Sequence, residues 1–333
     1  MDQARFYEKE QDKIRCLLCP RKCLLDEGKF GTCGVRRVQG GKLYTTNYGR
    51  LAAANQDPIE KKPLYHFFPG RSILSIGTFG CNLLCSFCQN WSLSRGTPDQ
   101  VAEKVKPAEV LQMLQRKEGP EKALGVAYTY NEPMIWYEFV YDTARLLHEH
   151  GYKNVLVTNG YINPQPLEEL LPYIDAMNID VKAYNDSFYQ QYCHGSRKPV
   201  LETVEAAVKQ CHVEATCLLI PSLNDSIEEQ TELAKWLGGL SQDLVLHYSR
   251  YFPQYKLDLP PTSPQLMVEV RKAAQKHLRY VFLGNIDLPG SSDTICPHCG
   301  NLLIVRSNYQ VSLTGLDGAR CNNCHNKISI VVS

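Results

Sequence analysis

The chain has 333 residues, of which 44% are hydrophobic and 21% charged, and its formal net charge is +1. This length allows one large domain with small additions, and the balanced charge excludes a strong overall field toward nucleic acid or a membrane. The first 15 residues have no apolar run, so we expect no signal peptide, no anchor and no membrane partner. We therefore expect a cytoplasmic protein whose fourteen cysteines stay reduced, and we interpret the eleven that are clustered as metal ligands.

The first cysteine group has the spacing C-x2-C-x3-C-x9-C and consists of Cys16, Cys19, Cys23 and Cys33. Four thiols are enough for one metal centre, and both zinc and an auxiliary Fe–S cluster accept this ligand set. Zinc would indicate a scaffold, whereas a cluster would indicate electron transfer. We predict that residues 1–70 form a Cys-rich metal-binding module, because they lack the regular alternation that follows.

The segment DPIEKKPLYHFFPG ends this module at residue 70. We interpret it as a charged surface turn followed by an aromatic plug of Tyr65, Phe67 and Phe68, because aromatic rings can be buried next to charged residues that stay at the surface. The alternative is that Lys61, Lys62 and His66 approach an active site.

From about residue 71 to 290, short apolar runs alternate with amphipathic stretches. Near-continuous apolar runs are typical of parallel strands covered on both faces, and regular βα units predict a parallel sheet. We predict an α/β fold with a partial or full (β/α) barrel, although a flat doubly wound sheet has the same pattern. The seven strand candidates are SILSIG (72–77), LGVAYT (124–129), NVLVT (154–158), AMNIDV (176–181), EATCLLI (214–220), LVLHYS (244–249) and RYVFLG (279–284).

A second cysteine group, Cys81, Cys85 and Cys88, directly follows the first of these strands, with the spacing C-x3-C-x2-C. Three thiolates leave one iron of a cubane without a protein ligand, and an open position is typical of a catalytic metal site. A zinc knuckle or three unrelated thiols are the alternatives. The run resembles the C-x3-C-x-aromatic-C motif of the radical S-adenosylmethionine (SAM) superfamily, with Phe87 as the aromatic residue. The resemblance implies a [4Fe–4S] cluster whose open iron binds SAM, and reductive cleavage of SAM to a 5′-deoxyadenosyl radical.

Further SAM contacts are expected after the next two strands. Asn131 and Glu132, in YTYNEP, occupy the place of the GGEP motif that binds the SAM amino group in the superfamily, but both glycines are missing. Glu132 could also cap the helix that follows. Thr158 and Asn159 form a polar turn that we expect to contact the methionyl or ribose groups of SAM.

Charged residues mark the fourth and sixth strands. Asp180 and Lys182 alternate along the chain and so point to one face of the strand. They resemble the D-x-K of glycyl-radical activating enzymes, which implies a role in SAM binding; an internal ion pair is the alternative. We expect His247 to face the barrel cavity as a cofactor contact, or to be a satisfied core histidine.

The last cysteine group follows the break LPGSSD and occupies a predicted C-terminal module at 291–333. CPHCG and CNNC supply Cys296, Cys299, Cys321 and Cys324, a set that satisfies tetrahedral zinc. We predict a zinc ribbon, with a rubredoxin-like iron site as the alternative. The strands LLIVRS and YQVSL, with the turn LDG, are expected to form its hairpin.

Taken over its whole length, the chain resembles the radical SAM enzymes of the AmmeMemoRadiSam system, relatives of pyruvate formate-lyase activating enzyme. The resemblance rests on CLLCPRKC, GTCGVR, DPIEKKPLYHFFPG, SIGTFGCNLLCSFCQN, YTYNEP, NIDVKAY, HYSRYFPQYK and CPHCG. It implies an electron donor of the flavodoxin or ferredoxin type, and an association with Memo-like and Ammecr-type proteins.

The substrate stays open at this point. A partner protein that receives a glycyl radical, RNA and a small molecule are all candidates. A non-catalytic carrier of clusters or a scaffold is the alternative of another class, and charged groups at the strand ends argue against it.

Overall fold

The structure is a computed structural model that describes residues 1–97, 104–116, 123–307 and 309–332. Six short strands begin the chain: β1 (Asp2–Gln3), β2 (Tyr7–Glu10), β3 (Lys13–Cys16), β4 (Leu24–Leu25), β5 (Arg36–Gln39) and β6 (Lys42–Thr45). They form two antiparallel sheets of three strands, with the orders β1-β6-β5 and β2-β3-β4. This small pair of sheets carries the first cysteine group.

An eight-stranded sheet forms the centre of the molecule. Its strands are β7 (Ala53–Pro58), β8 (Ser72–Gly77), β9 (Gly125–Tyr128), β10 (Lys153–Thr158), β11 (Ala176–Asp180), β12 (His212–Leu219), β13 (Val245–Arg250) and β14 (Tyr280–Gly284). They lie side by side in chain order, and all are parallel except β7, which pairs antiparallel with β8. Because β7 and β14 are the free edges, the sheet is a partial barrel rather than a closed one.

Helices cover the outside of this sheet. They are α1 (Trp91–Ser94), α2 (Pro107–Gln115), α3 (Tyr137–Glu149), α4 (Pro164–Leu170), α5 (Asp186–Phe188), α6 (Lys198–Ala207), α7 (Ile227–Leu240) and α8 (Pro264–Ala274). Short 3-10 turns span Ile59–Lys61, Pro133–Trp136 and Leu171–Tyr173, and a π-helical turn spans Tyr189–Cys193. Each long helix buries one stripe of apolar side chains against the strands, as α3 does with Phe139, Val140, Ala144 and Leu147.

All seven predicted strands are present, and the predicted α/β barrel is confirmed in its partial form. The strand β7 was not predicted, because AANQDP has polar residues and a proline, which fit only an edge strand. Through β7, the central sheet takes in residues from the region predicted as the N-terminal module.

Residues 59–71 link the end of β7 to the start of β8, so they lie at the end of the barrel where the parallel strands begin. This segment, which we call the plug, closes that end of the barrel. Phe67 and Phe68 are buried there and pack with residues of β9, β10 and β11. The predicted aromatic plug is therefore present. The adjoining charged turn lies only partly at the surface, since Lys62 is 3% exposed and its Nζ lies 2.9 Å from Asp57 Oδ2.

The C-terminal module consists of short strands docked on the plug and on the free edge β14. Its strands are β15 (Thr294–Ile295), β16 (Leu302–Ser307), β17 (Gln310–Ser312), β18 (Leu316–Asp317) and β19 (Arg320–Cys321). Strands β16 and β17 form the predicted hairpin, but the LDG turn belongs to a separate hairpin of β18 and β19. Leu303, Ile304 and Ile328 pack with Tyr280 and Phe282 of β14.

Candidate active site

The loop after β8 carries the central thiols at the carboxyl end of the strand. Cys85 is buried, whereas Cys81 and Cys88 are partly exposed. The backbone N–H groups of Leu84 and Ser86 donate to the carbonyls of Cys193 (2.9 Å) and Tyr192 (3.0 Å) at the end of the π-helical turn. The loop is thus held by backbone bonds that leave its thiols available as ligands.

Glu132 lies buried beside this loop, at the carboxyl end of β9. Its Oε1 accepts from the N–H of Met134 (2.9 Å) and the hydroxyl of Thr158 (2.6 Å), and its Oε2 accepts from the N–H of Asn159 (2.8 Å). Burial raises the pKa of the Glu132 carboxyl to about 7, although these hydrogen bonds oppose the shift. The residue therefore caps the 3-10 turn after it, as the alternative interpretation had it, and also lies at the site.

Asn159 connects Glu132 to the central thiols. Its side-chain amide donates to Cys81 Sγ at 3.6 Å and to Asn82 Oδ1 at 3.0 Å. Asn131 contacts the loop as well, since its Oδ1 accepts from the N–H of Thr78 (3.1 Å) and its amide donates to the carbonyl of Gly80 (2.9 Å). The strand ends of β9 and β10 thus deliver polar groups to the base of the loop.

Asp180 and Lys182 contribute a charged pair from the end of β11. Lys182 Nζ lies 2.5 Å from Asp180 Oδ2, and the two side chains are 18% and 32% exposed. Burial opposes the charge of Lys182, but the carboxylate of Asp180 and the sulfur of Cys85 hold its pKa above the ordinary value. The pair therefore lies beside the thiol group and is still reached by solvent.

Two of the predicted cofactor contacts lie in other surroundings. Phe87 is 4% exposed and its ring packs 5.6 Å from that of Phe188, so it supports the loop from the core side. His247 is 4% exposed, its Nε2 lies 2.6 Å from Glu214 Oε2, and its ring contacts Tyr65 of the plug. The structure thus groups His247 with the plug and not with the central thiols.

Glu214, which the sequence analysis missed, organises that second group. It is fully buried and accepts from the N–H groups of Tyr65 (2.9 Å) and His66 (2.7 Å), and from His212 Nε2 (2.9 Å). Burial opposes its ionisation, but the hydrogen bonds from His212 and His247 outweigh it and hold the pKa of Glu214 well below its usual range. A lone acidic residue in the apolar run EATCLLI was the available signal.

The C-terminal thiols form a compact group. The sulfurs of Cys296 and Cys324 lie 3.6 Å apart and those of Cys299 and Cys321 lie 3.7 Å apart. Tetrahedral zinc with Zn–S bonds of about 2.3 Å separates its ligand sulfurs by about 3.8 Å. Burial opposes ionisation of Cys321, but hydrogen bonds from the backbone of Cys324 and from other donors lower its pKa to about 6. Burial raises the pKa of Cys296 in the same group to about 11, so it is the sulfur geometry that suits a single metal ion.

The N-terminal thiols are arranged differently. Cys16 and Cys19 are buried, Cys23 and Cys33 are partly exposed, and the four surround a cavity of about 20 Å³. Among the described residues, one group of three or more Cys, His, Asp or Glu side chains has all its ligand atoms within 4.8 Å of one another. This group is the C-terminal set. Neither the N-terminal nor the central thiols are that close together.

Comparison with known proteins identifies the central domain. The sequence profile of the Radical SAM superfamily matches residues 75–236, the range that holds the central thiols and strands β9–β12. This central part of the chain is a radical SAM domain. The whole chain is 41% identical to the uncharacterized protein MJ0808 of Methanocaldococcus jannaschii over the full length of both chains.

Homology extends to activating enzymes within the radical SAM superfamily. The pyruvate formate-lyase-activating enzyme of Clostridium pasteurianum is 28% identical, covering 60% of this chain and 87% of that protein. The putative glycyl-radical enzyme activating enzyme MJ1632 of Methanocaldococcus jannaschii is 26% identical, covering 62% of this chain and 78% of that protein.

Solved structures agree on the radical SAM fold. A radical SAM methyltransferase from Sphaerobacter thermophilus aligns with a TM-score of 0.50 and 18% identity, over 65% of this chain and 67% of that chain. Streptococcus suis SuiB bound to S-adenosylmethionine aligns with a TM-score of 0.51 and 12% identity, over 68% and 53%. At these identities the likeness shows the fold alone.

Radical SAM membership implies a [4Fe–4S] cluster and SAM, and the central thiols fit such a cluster. Each iron of a cubane takes its own thiolate, so the ligand sulfurs stand farther apart than sulfurs that share one ion. The sulfurs of Cys81, Cys85 and Cys88 do not all lie within 4.8 Å of one another, unlike those of the C-terminal set, so they are not arranged around one ion. Among the described residues, no helix has the length and apolar character needed to cross a membrane.

Proposed function

We propose that this chain is a radical SAM enzyme that abstracts hydrogen from its substrate. The cluster held by Cys81, Cys85 and Cys88 would supply the electron that cleaves SAM to methionine and a 5′-deoxyadenosyl radical. The observation that carries the proposal is the set of three loop thiols, surrounded at the strand ends by polar and charged side chains. A cluster carrier or scaffold gives no reason for buried charge there, because burying charged groups costs free energy.

Glu132, Thr158 and Asn159 are proposed to hold the methionyl end of SAM. A carboxylate has about four acceptor positions, and Glu132 uses three of them within the protein, so one remains for an ammonium group. Asn159 lies against Cys81 and so would place a bound group next to the cluster. Asn131 and Phe87 are proposed to act indirectly, by fixing the loop, and His247 is left out because Glu214 and the plug engage it.

Asp180 and Lys182 are proposed to complete the SAM site from β11. The charge of Lys182 interacts electrostatically with Cys85, and the side chains of Lys182 and Asp180 are partly exposed, so the pair would border both the cluster and solvent. A cation there can bind the carboxylate of SAM, while Asp180 holds the cation in place.

The homology with activating enzymes favours a partner protein as substrate, with a glycine as the site of hydrogen abstraction. The open edge of the barrel provides a way in, because a cavity of about 700 Å³ lies between the loop after β14 and the C-terminal module. Arg250, Phe252 and Tyr309 are among its lining residues. An RNA or a small molecule is the alternative, and the polar and aromatic lining is compatible with both.

We also propose zinc for the C-terminal thiols, and an electron donor of the flavodoxin or ferredoxin type in a cytoplasmic setting. Sulfur separations of 3.6 and 3.7 Å support zinc. The division into an N-terminal module (1–70), a barrel (71–290) and a ribbon (291–333) is part of this proposal. Placement in the AmmeMemoRadiSam system, with Memo-like and Ammecr-type partners, rests on the sequence resemblance.

The test is anaerobic reconstitution with iron and sulfide, followed by SAM and dithionite. We expect 5′-deoxyadenosine and methionine from the wild type, and neither from Cys85→Ala. Cys211→Ala, which removes a thiol outside all three groups, is the matched control and should behave as the wild type. A Cys85→Ala protein that kept its cluster and full SAM cleavage would contradict the proposal.

A further inference from the structure

The N-terminal thiol group touches the loop of the central thiols. Gly80, which precedes Cys81, has φ +91°, and a Cβ at this position would lie 2.5 Å from the carbonyl oxygen of Cys33. On the other side, Arg21 Nε donates to the carbonyl of Asn82 at 2.8 Å. The backbone on both sides of Cys81 is thus in contact with the N-terminal site.

Asn82 continues this contact toward the proposed SAM site. It lines the cavity between the N-terminal thiols, and its side-chain oxygen accepts from Asn159, whose amide also reaches Cys81. A structural metal site needs no such position, because any part of the surface would serve it. A redox centre does need it, since electron transfer requires short separations through packed protein.

The spacing of the N-terminal thiols distinguishes a cluster from a single ion. In the part of the chain that the structure describes, no three of the sulfurs of Cys16, Cys19, Cys23 and Cys33 lie within 4.8 Å of one another. The four C-terminal sulfurs do, as one tetrahedral ion requires. A set of four thiolates wider than a single ion allows suits a cubane, in which each thiolate binds a different iron.

Charge and exposure also suit a redox centre. The guanidinium of Arg36 is 1% exposed and lines the same cavity, with one nitrogen 3.9 Å from Cys16 Sγ and the other paired with Glu138 at 2.5 Å. Arg21 and Lys22 line the cavity as well. A buried cation stabilises the added negative charge of a reduced cluster. Cys23 and Cys33 are partly exposed, so the group can be approached from the surface, and the carbonyl of Cys33 also touches the central loop.

We propose that Cys16, Cys19, Cys23 and Cys33 hold an auxiliary [4Fe–4S] cluster that passes electrons to the central cluster. One electron enters from a flavodoxin- or ferredoxin-type protein, which is oxidised, and reduces the auxiliary cluster. The same electron then reduces the central cluster, and the auxiliary cluster returns to its oxidised state; no proton or group moves. The relay rests on the proposed function, but the auxiliary cluster does not.

The first experiment removes the central ligands with Cys81→Ser, Cys85→Ser and Cys88→Ser in one protein. After anaerobic reconstitution with iron and sulfide, this variant should keep about four irons per chain, with a matching amount of sulfide and an EPR signal on reduction. It should hold about one zinc, in the C-terminal set. Reconstituted wild-type protein should hold about eight irons, which provides the same answer if the variant folds poorly.

The second experiment removes the N-terminal ligands with Cys19→Ser and Cys33→Ser. This variant should lose about four irons and still show a change in the EPR spectrum when SAM is added. SAM cleavage driven by flavodoxin should be lost to a far greater extent than cleavage driven by dithionite, which reaches the central cluster directly. Equal losses with both reductants would overturn the relay.

Two zincs per chain in the central triple variant, with no iron, would overturn the auxiliary cluster. The auxiliary cluster and the proposed radical SAM activity can fail independently in these experiments. Iron in that triple variant, together with a wild type that makes no 5′-deoxyadenosine, would refute the radical SAM assignment and leave the N-terminal cluster standing.

Discussion

The pair Asp180 and Lys182 differs from an ordinary surface ion pair because of its position. Exposed pairs contribute about 0–1 kcal/mol, since water screens them. This pair is partly buried at the end of β11, with the sulfur of Cys85 close enough to raise the pKa of Lys182. Such a cation can stabilise a thiolate, bind a carboxylate of a ligand, or do both.

Removal of Lys182 separates these roles. If the side chain binds SAM, Lys182→Ala should weaken SAM binding and leave cluster assembly intact. A lost charge-assisted hydrogen bond costs about 1.5–3 kcal/mol, or roughly 10- to 100-fold in affinity. The measurement is a SAM titration followed by the EPR spectrum of the cluster, beside a melting curve of the SAM-free protein.

Lys153→Ala is the matched control for this prediction. Lys153 forms a partly buried pair with Asp175, at 2.9 Å and with side chains 37% and 18% exposed, but at the start of β10 and so at the other end of the strands. The control should change the melting temperature only slightly and SAM affinity not at all. Unchanged SAM affinity in Lys182→Ala with a lowered melting temperature would mean that Asp180 and Lys182 are a structural pair.

Individual side chains show where prediction from sequence ends. The shared position of the loop thiols, Glu132 and Asp180 at the carboxyl ends of the strands could be predicted, because motif spacing and strand ends bring them together; their roles stay predictions. His247 could not be placed, because its role depends on Glu214, 33 residues away along the chain. No sequence pattern indicated a role for Cys193, although its carbonyl accepts a hydrogen bond from the N–H of Leu84.

At the scale of elements, seven strands were recognisable because parallel strands covered on both faces are almost continuously apolar. The antiparallel strand β7 and the π-helical turn were not, since edge strands and single irregular turns depend on tertiary contacts. The contact between the N-terminal module and the loop after β8 was equally invisible. That contact depends on the close approach of the backbone at position 80 to the backbone of Cys33, and the glycine at position 80 was its one indication in the sequence.

Gly80 provides a direct test of that approach. Both Gly80 and Gly34 have positive φ, +91° and +76°, so alanine at either position costs about 1–2 kcal/mol in backbone strain. Gly34 has no atom within 4 Å of the position that a Cβ would take, whereas Gly80 has the carbonyl oxygen of Cys33 at 2.5 Å. Gly80→Ala should therefore cost about 1–3 kcal/mol more than Gly34→Ala, because the N-terminal module must shift.

Thermal unfolding of the two reconstituted variants measures this difference, and iron analysis adds a second readout. Gly80→Ala should lose N-terminal iron along with stability, whereas Gly34→Ala should retain it. Equal destabilisation of the two variants, with full iron content in both, would show that the close approach of Gly80 to Cys33 is not needed for the N-terminal iron site.

At the scale of the whole molecule, the plug joins the barrel to the C-terminal module. His66 Nδ1 lies 3.0 Å from the carbonyl of Ser329, and the N–H of Phe68 donates to the carbonyl of Val331 at 2.7 Å. Arg306 donates to the carbonyl of Tyr65 at 2.6 Å and also lines the cavity at the open edge. The C-terminal module thus forms one wall of the proposed substrate entrance.

In this arrangement, a metal held by the C-terminal thiols would stabilise more than its own module. The module has a small core, in which Leu303, Ile304 and Ile328 pack with Tyr280 and Phe282 of the barrel edge. A unit of this size depends on a metal for its stability, and thiolate zinc modules unfold without it. Loss of the metal should therefore expose apolar surface on the edge strand β14 as well.

We predict that Cys299→Ser with Cys324→Ser abolishes zinc binding and opens this edge. Elemental analysis should show the loss of about one zinc per chain, while central iron and dithionite-driven SAM cleavage persist. Binding of a hydrophobic dye and proteolysis within residues 291–333 should both increase, because the module no longer covers Tyr280 and Phe282. Cys211→Ser is the control and should change none of these, since Cys211 lies outside all three cysteine groups and its thiol donates to the carbonyl of Ala207. A zinc-free double variant that resists protease as the wild type does would show that packing alone holds the module in place.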